Sequence, residues 1–244
     1  MPEFGLIGKN IAYSFSKTYF NEKFKTENLP DVYLNYDIQH IEEINAIVTN
    51  NSKLKGLNVT IPYKETVIPH LDKLSKTALK IGAVNTIKIS KNGKLKGYNT
   101  DYYGFKKSLI SILKPQHNKA LILGTGGASK AIAYALHSLE IPYSFVSRNY
   151  SEKVNFVYQN LTQQIIEQHT IIINCTPLGT HPNITQCPDI PYEFISEKHL
   201  LFDLIYNPSE TLFLSKGKEH GAQIMNGLPM LQFQAEKAWE IWNK

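Results

Sequence analysis

The stretch Leu121 to Leu136, LILGTGGASKAIAYAL, constrains the fold more than any other part of the chain. A short apolar run that reads as a buried strand ends at Gly124. Gly126 and Gly127 follow, and then an alanine-rich run with apolar spacing suited to a helix. A tight strand–glycine–helix turn brings backbone N–H groups and the positive end of a helix dipole to one point, which suits a phosphate or pyrophosphate. The same turn also serves simply to let a helix approach a sheet, so by itself it leaves both uses open.

The rest of the chain supplies the units such a turn requires. Strand candidates before residue 102 are Phe4–Ile7, Val32–Asp37, Gly56–Val59 and Val84–Ile89. Helical candidates between them are Lys17–Glu27, Ile41–Asn50, Lys64–Leu71 and a segment near Lys73–Ile81. Alternation of this kind predicts βαβ units and a mostly parallel sheet. Lys91-Asn92-Gly93-Lys94 reads as a hairpin turn into Leu95–Tyr98, adding an antiparallel edge. A helix over Tyr102–Leu113 opens a second set, with strands at Ala120–Leu123, Tyr143–Ser147, Asn155–Tyr158, Thr170–Asn174 and Leu200–Asp203. A last helix, Pro229–Trp242, carries a broad apolar face and is expected to return to the first domain. The expectation is a two-domain α/β protein, with residues 1–101 plus 229–244 in one domain and 102–228 in a nucleotide-binding one.

Composition narrows the class. At 244 residues, 42% hydrophobic and 19% charged, the chain is long and apolar enough for ordinary globular cores. The net charge of +5 comes from dispersed lysines rather than a dense basic stripe, which argues against a nucleic-acid surface. The amino terminus has no basic stretch leading into an apolar run, and no apolar run approaches the roughly 18–20 residues of a membrane span. Cys175 and Cys187 offer no disulfide framework and no CxxC pair, so a cytoplasmic protein with no metal site and no membrane partner is expected.

Polar residues gather around the strands of the first domain. Ser14 and Ser16 follow Ile7-Gly8; Asn58, Thr60 and Lys64 lie in GLNVTIPYKETV; Asn85 and Thr86 lie in GAVNTI; Asn99, Thr100 and Asp101 lie in GYNTDYYGF. Hydroxyls, amides, one ammonium and one carboxylate suit a small polyhydroxylated molecule, because a site built to read hydroxyls rejects ligands that leave its groups unpaired. Local roles fit some of them equally well. Asn58 or Thr60 suits the cap of a helix opening near Pro62, Asp101 suits the cap of the next helix, and Lys64 suits a solvated helix face. Taken together, a nucleotide site, a lysine and a carboxylate fit hydride transfer to a ketone with proton donation to the developing alkoxide.

The chain resembles the shikimate dehydrogenases, which reduce 3-dehydroshikimate to shikimate with NADPH on the chorismate route to aromatic amino acids. FGLIGKNIAYSFS, GLNVTIPYKETV, GAVNTI, GYNTDYYGF, LGTGGASKAIAYAL, INCTPLGT, DLIYNPSETLFL and GLPMLQFQAEKAWEIW occur in the family's order over almost the full length. The resemblance implies a substrate-binding domain followed by a Rossmann-like dinucleotide-binding domain. It implies that Ser14 and Ser16 hold the substrate carboxylate, that Asn58, Thr60, Asn85 and Gln234 contact the ring substituents, and that Tyr206 lies close to the ring. Lys64 and Asp101 become the catalytic pair. Gly124, Gly126, Gly127, Ala128, Ser147, Arg148, Asn149, Asn174, Thr176 and Gly227 become the cofactor-binding set, with Pro177 and Gly179 in the same cleft motif. The implied ligands are NADP and shikimate or 3-dehydroshikimate, in a monomer or homodimer. The alternatives are a broader quinate/shikimate enzyme able to use NAD, and a non-catalytic binding protein of the same fold.

Two departures from the family pattern stand out. Lys17 and Phe20 replace a proline and a histidine commonly found there, with Asn21 retained. After Arg148 a second cation is expected, yet Glu152 stands in its place, with Lys153 adjacent. Only about 25 residues separate Arg148 from Asn174, so the helix after the Arg148 strand is expected to be reduced or missing.

Overall fold

The computed structural model describes residues 1–12 and 14–244; Tyr13, inside the first motif above, lies outside the described residues. The chain divides into two compact units, residues 1–100 with 235–244, and residues 101–234.

The first unit contains β1 (Glu3–Gly8), α1 (Phe15–Thr26), β2 (Val32–Asp37), α2 (Glu43–Thr49), β3 (Leu54–Val59), β4 (Lys73–Leu74), α3 (Lys76–Ile81), β5 (Thr86–Ile89) and β6 (Leu95–Tyr98). Its sheet runs β2-β1-β3-β5-β6-β4, parallel except where β5 pairs antiparallel with β3 and with β6. The hairpin forms as expected, but the short β4 lies outside β6, so the antiparallel pair is internal rather than at the edge. Side chains alternate between two faces. Ile7, Leu57, Val59 and Ile87 pack with Ile44 of α2 and Ala78 of α3, while Phe4, Leu6 and Tyr33 pack with Phe20 and Phe24 of α1.

The expected helix over Lys64–Leu71 is absent. Residues 61–67 form successive turns, and Ile68–His70 is a single 3₁₀ turn. Pro69 falls inside the expected helix, where it has no N–H to donate and its ring obstructs the preceding turn. The expected segment near Lys73–Ile81 divides into β4 and α3, the latter capped by Ser75, whose Oγ accepts the Ala78 N–H at 3.1 Å.

The second unit contains α4 (Asp101–Ile110), β7 (Ala120–Leu123), α5 (Gly127–His137), β8 (Tyr143–Ser147), β9 (Phe156–Val157), α6 (Gln163–Gln168), β10 (Ile171–Asn174), β11 (Leu200–Asp203), α7 (Leu212–Glu219), β12 (Gln223–Met225) and the start of α8 (Leu228–Asn243). Its sheet is wholly parallel in the order β12-β11-β10-β7-β8-β9, the doubly wound arrangement of dinucleotide-binding domains. Strands covered on both faces read as continuous apolar runs. Ile122, Ile173 and Phe202 face Phe105, Ile132 and Leu136 of α4 and α5, whereas Leu121, Ile172 and Leu201 face Ile166 of α6 and Phe213 and Leu214 of α7. Between β8 and β9 the chain makes only an eight-residue connection, without a helix. Asn155 closes it, donating its N–H to the Phe145 carbonyl at 3.1 Å and accepting the Phe145 N–H through Oδ1 at 2.8 Å.

The sequence reading gives the whole last helix to the first domain, but α8 is shared between the units. Its first turns pack in the second, with Met230 in the core beside Phe105 and Phe202. Its last turns pack in the first, where Trp242 stacks on Phe4 and donates Nε1–H to the Ile87 carbonyl at 2.9 Å. Trp242→Ala is expected to destabilise the protein by about 3–5 kcal/mol in denaturant unfolding, since it empties an aromatic core and removes the indole's hydrogen bond to the Ile87 carbonyl.

Candidate active site

The reversal of β5 builds the first half of the site. Because β5 runs against β3 and β6, its amino end lies beside their carboxyl ends. Asn58 and Thr60, Asn85 and Thr86, and Asn99 and Thr100 therefore meet along one edge of the sheet. Asn85 precedes β5, so it reaches this edge at a strand's beginning rather than its end.

These side chains form a buried network. Tyr33 donates its hydroxyl to Asn58 Oδ1 at 2.7 Å, and the Asn58 amide donates to the Asn85 carbonyl at 3.1 Å and to Thr86 Oγ1 at 3.2 Å. The Asn85 amide donates to Thr100 Oγ1 at 3.0 Å, and its Oδ1 accepts the Thr100 N–H at 2.6 Å. Both N–H groups of Asn58 are thus committed within the protein, leaving only oxygen lone-pair capacity for a ligand. Burial holds the Tyr33 hydroxyl well above the usual phenol range, so it stays protonated and remains a donor.

The other polar residues of these motifs lie on three further segments. Ser14 caps α1, its Oγ accepting the Lys17 N–H at 3.4 Å, which leaves the hydroxyl hydrogen to be donated elsewhere. Ser16 is buried on the first turn of the same helix. Lys64 is half-buried in the turns after β3, and its carbonyl accepts the Val84 N–H at 2.7 Å, next to Asn85. Asp101, directly after Thr100 in the chain, is the first residue of α4 and is buried.

In the second unit the glycine turn follows β7. Gly124 takes a left-handed conformation (φ 103°) in which a side chain is strained, and an added Cβ would press to 3.2 Å of Thr176 Cγ2. Gly126 caps α5 with no side-chain hydrogen bond, and nothing lies within 4 Å of where its Cβ would be. Gly127 and Ala128 then open the helix, so its first N–H groups face a clear approach. Arg148, exposed, follows β8 directly after Ser147; Asn149, Glu152 and Lys153 are exposed in the short connection. The Tyr158 hydroxyl is buried without a protein partner among the described residues and is pushed up to about 12, chiefly by burial, with Cys175 adding to the rise and Arg148 opposing it.

Asn174 ends β10 beside Leu123 of β7. Its Oδ1 accepts from the Thr176 N–H at 2.9 Å and hydroxyl at 2.6 Å, and its amide donates to Asp203 Oδ1 at 3.1 Å. Asp203, completely buried at the end of β11, also accepts the Ile205 N–H at 3.0 Å and the Thr211 hydroxyl at 2.6 Å. The sequence reading assigns no role to Asp203, Thr211 or Tyr33. An acidic residue closing the otherwise apolar run Leu200–Phe202 was the available signal for the first of them.

Residues 6–87 match the family model described as the shikimate dehydrogenase substrate binding domain. Over 256 aligned residues the chain is 38% identical to a protein of Methanosphaera stadtmanae named shikimate dehydrogenase (NADP(+)), covering 98% of this chain and 90% of the relative. The chain belongs to the shikimate dehydrogenase family. A similarly named Clostridium botulinum protein is 39% identical over 249 residues, covering 98% and 95% of the two chains. A crystal structure of the Thermus thermophilus shikimate 5-dehydrogenase, in complex with NADP(H) and shikimate, superposes with a TM-score of 0.88 at 29% identity, covering 99% of this chain and 93% of that one.

The first departure from the family pattern has a structural outcome. Phe20 is fully buried and stacks on Tyr33 (4.7 Å, 13°), so an aromatic core contact stands where a histidine is common. The retained Asn21 clamps β2, donating to the Tyr33 carbonyl at 3.1 Å and accepting the Tyr33 N–H at 3.0 Å. Of the later family positions, Tyr206 is half-buried after β11 and Gln234 is buried in α8, donating to the Leu231 carbonyl at 3.0 Å. Gly227 packs so closely that an added Cβ would overlap the Leu204 carbonyl. Three buried histidines, His117, His169 and His199, precede β7, β10 and β11, at the opposite end of this sheet from the glycine turn. Among the described residues no helix is long and apolar enough to cross a membrane, and no group of His, Cys, Asp and Glu is placed to hold a metal ion.

Proposed function

We propose that this chain is an NADP-dependent shikimate dehydrogenase that reversibly reduces 3-dehydroshikimate to shikimate. The observation that carries the reading is the buried amide–hydroxyl network of Asn58, Thr86, Asn85 and Thr100. It fixes the strand edge that bears Thr60 and leads by sequence into Lys64 and Asp101. A polar edge held in fixed directions suits a rigid polyol, whose hydroxyls can donate to the oxygen lone pairs left at Asn58.

The second unit fits a dinucleotide on its own geometry. The left-handed Gly124 and the open approach at Gly126 suit a pyrophosphate at the start of α5. A cation rather than an acid follows the second strand of this sheet, and an arginine at that place suits a 2′-phosphate, with Ser147 and Asn149 as neighbouring donors. Asn174, Thr176 and Gly227 complete the proposed cofactor-binding set.

NADPH, when bound, supplies the hydride. Lys64 donates a proton to the carbonyl oxygen as it becomes an alkoxide and takes the hydroxyl proton in the oxidative direction, with Asp101 orienting the ammonium. Ser14 and Ser16 bind the carboxylate, and Thr60, Asn85, Tyr206 and Gln234 read the ring. Ser14→Ala and Ser16→Ala should each weaken shikimate binding by about 1–3 kcal/mol. Titration of the two single variants and the double variant checks this; full affinity in all three contradicts the carboxylate assignment. Oxidation of shikimate and of quinate, each with NADP and with NAD, tests the whole reading: shikimate with NADP should turn over fastest.

A further inference from the structure

We infer that Asp203 is a positioning residue for the dinucleotide, its carboxylate setting the orientation of the Asn174 amide and thereby the shape of the Asn174–Gly179 loop. This rests on the reading above, in which that loop holds the cofactor.

A carboxylate can only accept hydrogen bonds. The Asn174 side chain must therefore turn its NH₂ towards Asp203 and its oxygen towards Thr176. The oxygen receives both the N–H and the hydroxyl of Thr176, and the Thr176 oxygen in turn accepts the Leu178 N–H at 3.3 Å. The carboxylate acts with the Thr176 N–H and with the Leu178 carbonyl, which accepts from the Asn174 amide at 3.4 Å, to set one pattern of donor and acceptor directions along the start of the loop. Through Oδ2 it also holds Thr211, which caps α7, so the segments after β10 and β11 are tied to the same group.

Asp203 is completely buried, and burial pushes its carboxyl up to about 6 against the opposing pull of Thr211, Ile205 and Asn174. The titratable groups facing it are Cys175, next to Asn174, and Tyr192; burial raises both, so both stay protonated near neutrality. A carboxyl raised on folding opposes stability above about pH 6, and this opposition is relieved as pH falls towards the unfolded value near 4. A buried charge held only by neutral donors is costly to stability, which marks it as a candidate for a functional task.

Asp203→Asn tests the inference. The amide has one acceptor oxygen where the carboxylate has two, so the Asn174 NH₂, the Ile205 N–H and the Thr211 hydroxyl can no longer all donate to this side chain. Binding of NADPH and of NADH, followed by fluorescence of the reduced nicotinamide, should weaken by about five- to tenfold for both dinucleotides. The thermal midpoint at pH 7 should not fall, because a buried charge is removed. In the parent, NADH affinity should decline several-fold as pH drops from 7 to 5, and the variant should lack this step; NADH is used because it carries no titrating 2′-phosphate. Affinities within twofold of the parent, a lowered midpoint accompanying the loss, or a parent with pH-independent NADH binding would each overturn the inference. A parent that binds neither dinucleotide would remove the cofactor reading itself, and this inference with it.

Discussion

Lys64→Ala should lower kcat by about 10²- to 10⁴-fold while changing the KM for shikimate little, because proton donation to the alkoxide is an interaction of the transition state. The lysine is suited to replacement without collapse of its surroundings. It is half-buried in a run of turns whose anchor, the bond from the Val84 N–H, uses its backbone carbonyl. The proposed network of Asn58, Asn85 and Thr100 is made by other side chains and should persist. Steady-state kinetics in the oxidative direction, with circular dichroism to confirm the fold, decides the matter. A kcat within threefold of the parent excludes Lys64 as the proton donor.

Arg148→Ala should abolish most of the preference for NADPH over NADH, a change of about ten- to a hundredfold in the ratio of affinities, with NADH affinity itself nearly constant. A guanidinium can pair bidentately with a phosphate, and losing such a charge-assisted pair costs about 1.5–3 kcal/mol. The unusual connection sharpens this expectation. With eight residues and no helix between β8 and β9, the chain offers Arg148 at the strand end, while Glu152 and Lys153 are exposed farther along the connection. Preference that survives the substitution would transfer the role to another cation, and Lys153→Ala would be the next variant to measure.

The parts of the fold that could be read in the sequence are those set by local patterns. β2 and β11 have the bounds expected of them, and the glycine turn opens a helix at Gly127. The short connection after Arg148 was visible as a shortage of residues. The parts not legible depend on tertiary partners. α7 carries Gly217 in its second half, a weak helix signal, and packs closely on Leu201 there. β4 and β12, of two and three residues, carry too little periodicity to be recognised. The apolar spacing around Pro69 is helical, so the sequence alone places that proline inside a helix.

The site shows the same division. The residue types at Asn58, Asn85 and Thr100 announce a polar cluster, but their pairing requires β5 to run backwards between β3 and β6. Asp203 was hidden for the same reason. Its meaning lies in Asn174 and Thr211, which are 29 and 8 positions away along the chain and come to it only through the register of β10 with β11 and the start of α7.

The central claim is tested most directly by mixing the purified protein with 3-dehydroshikimate and following loss of the reduced nicotinamide, with NADPH and NADH in parallel. Rapid, enzyme-dependent oxidation of NADPH with stoichiometric formation of shikimate, and markedly slower oxidation of NADH, is the predicted result. Absence of shikimate formation with either cofactor would contradict it.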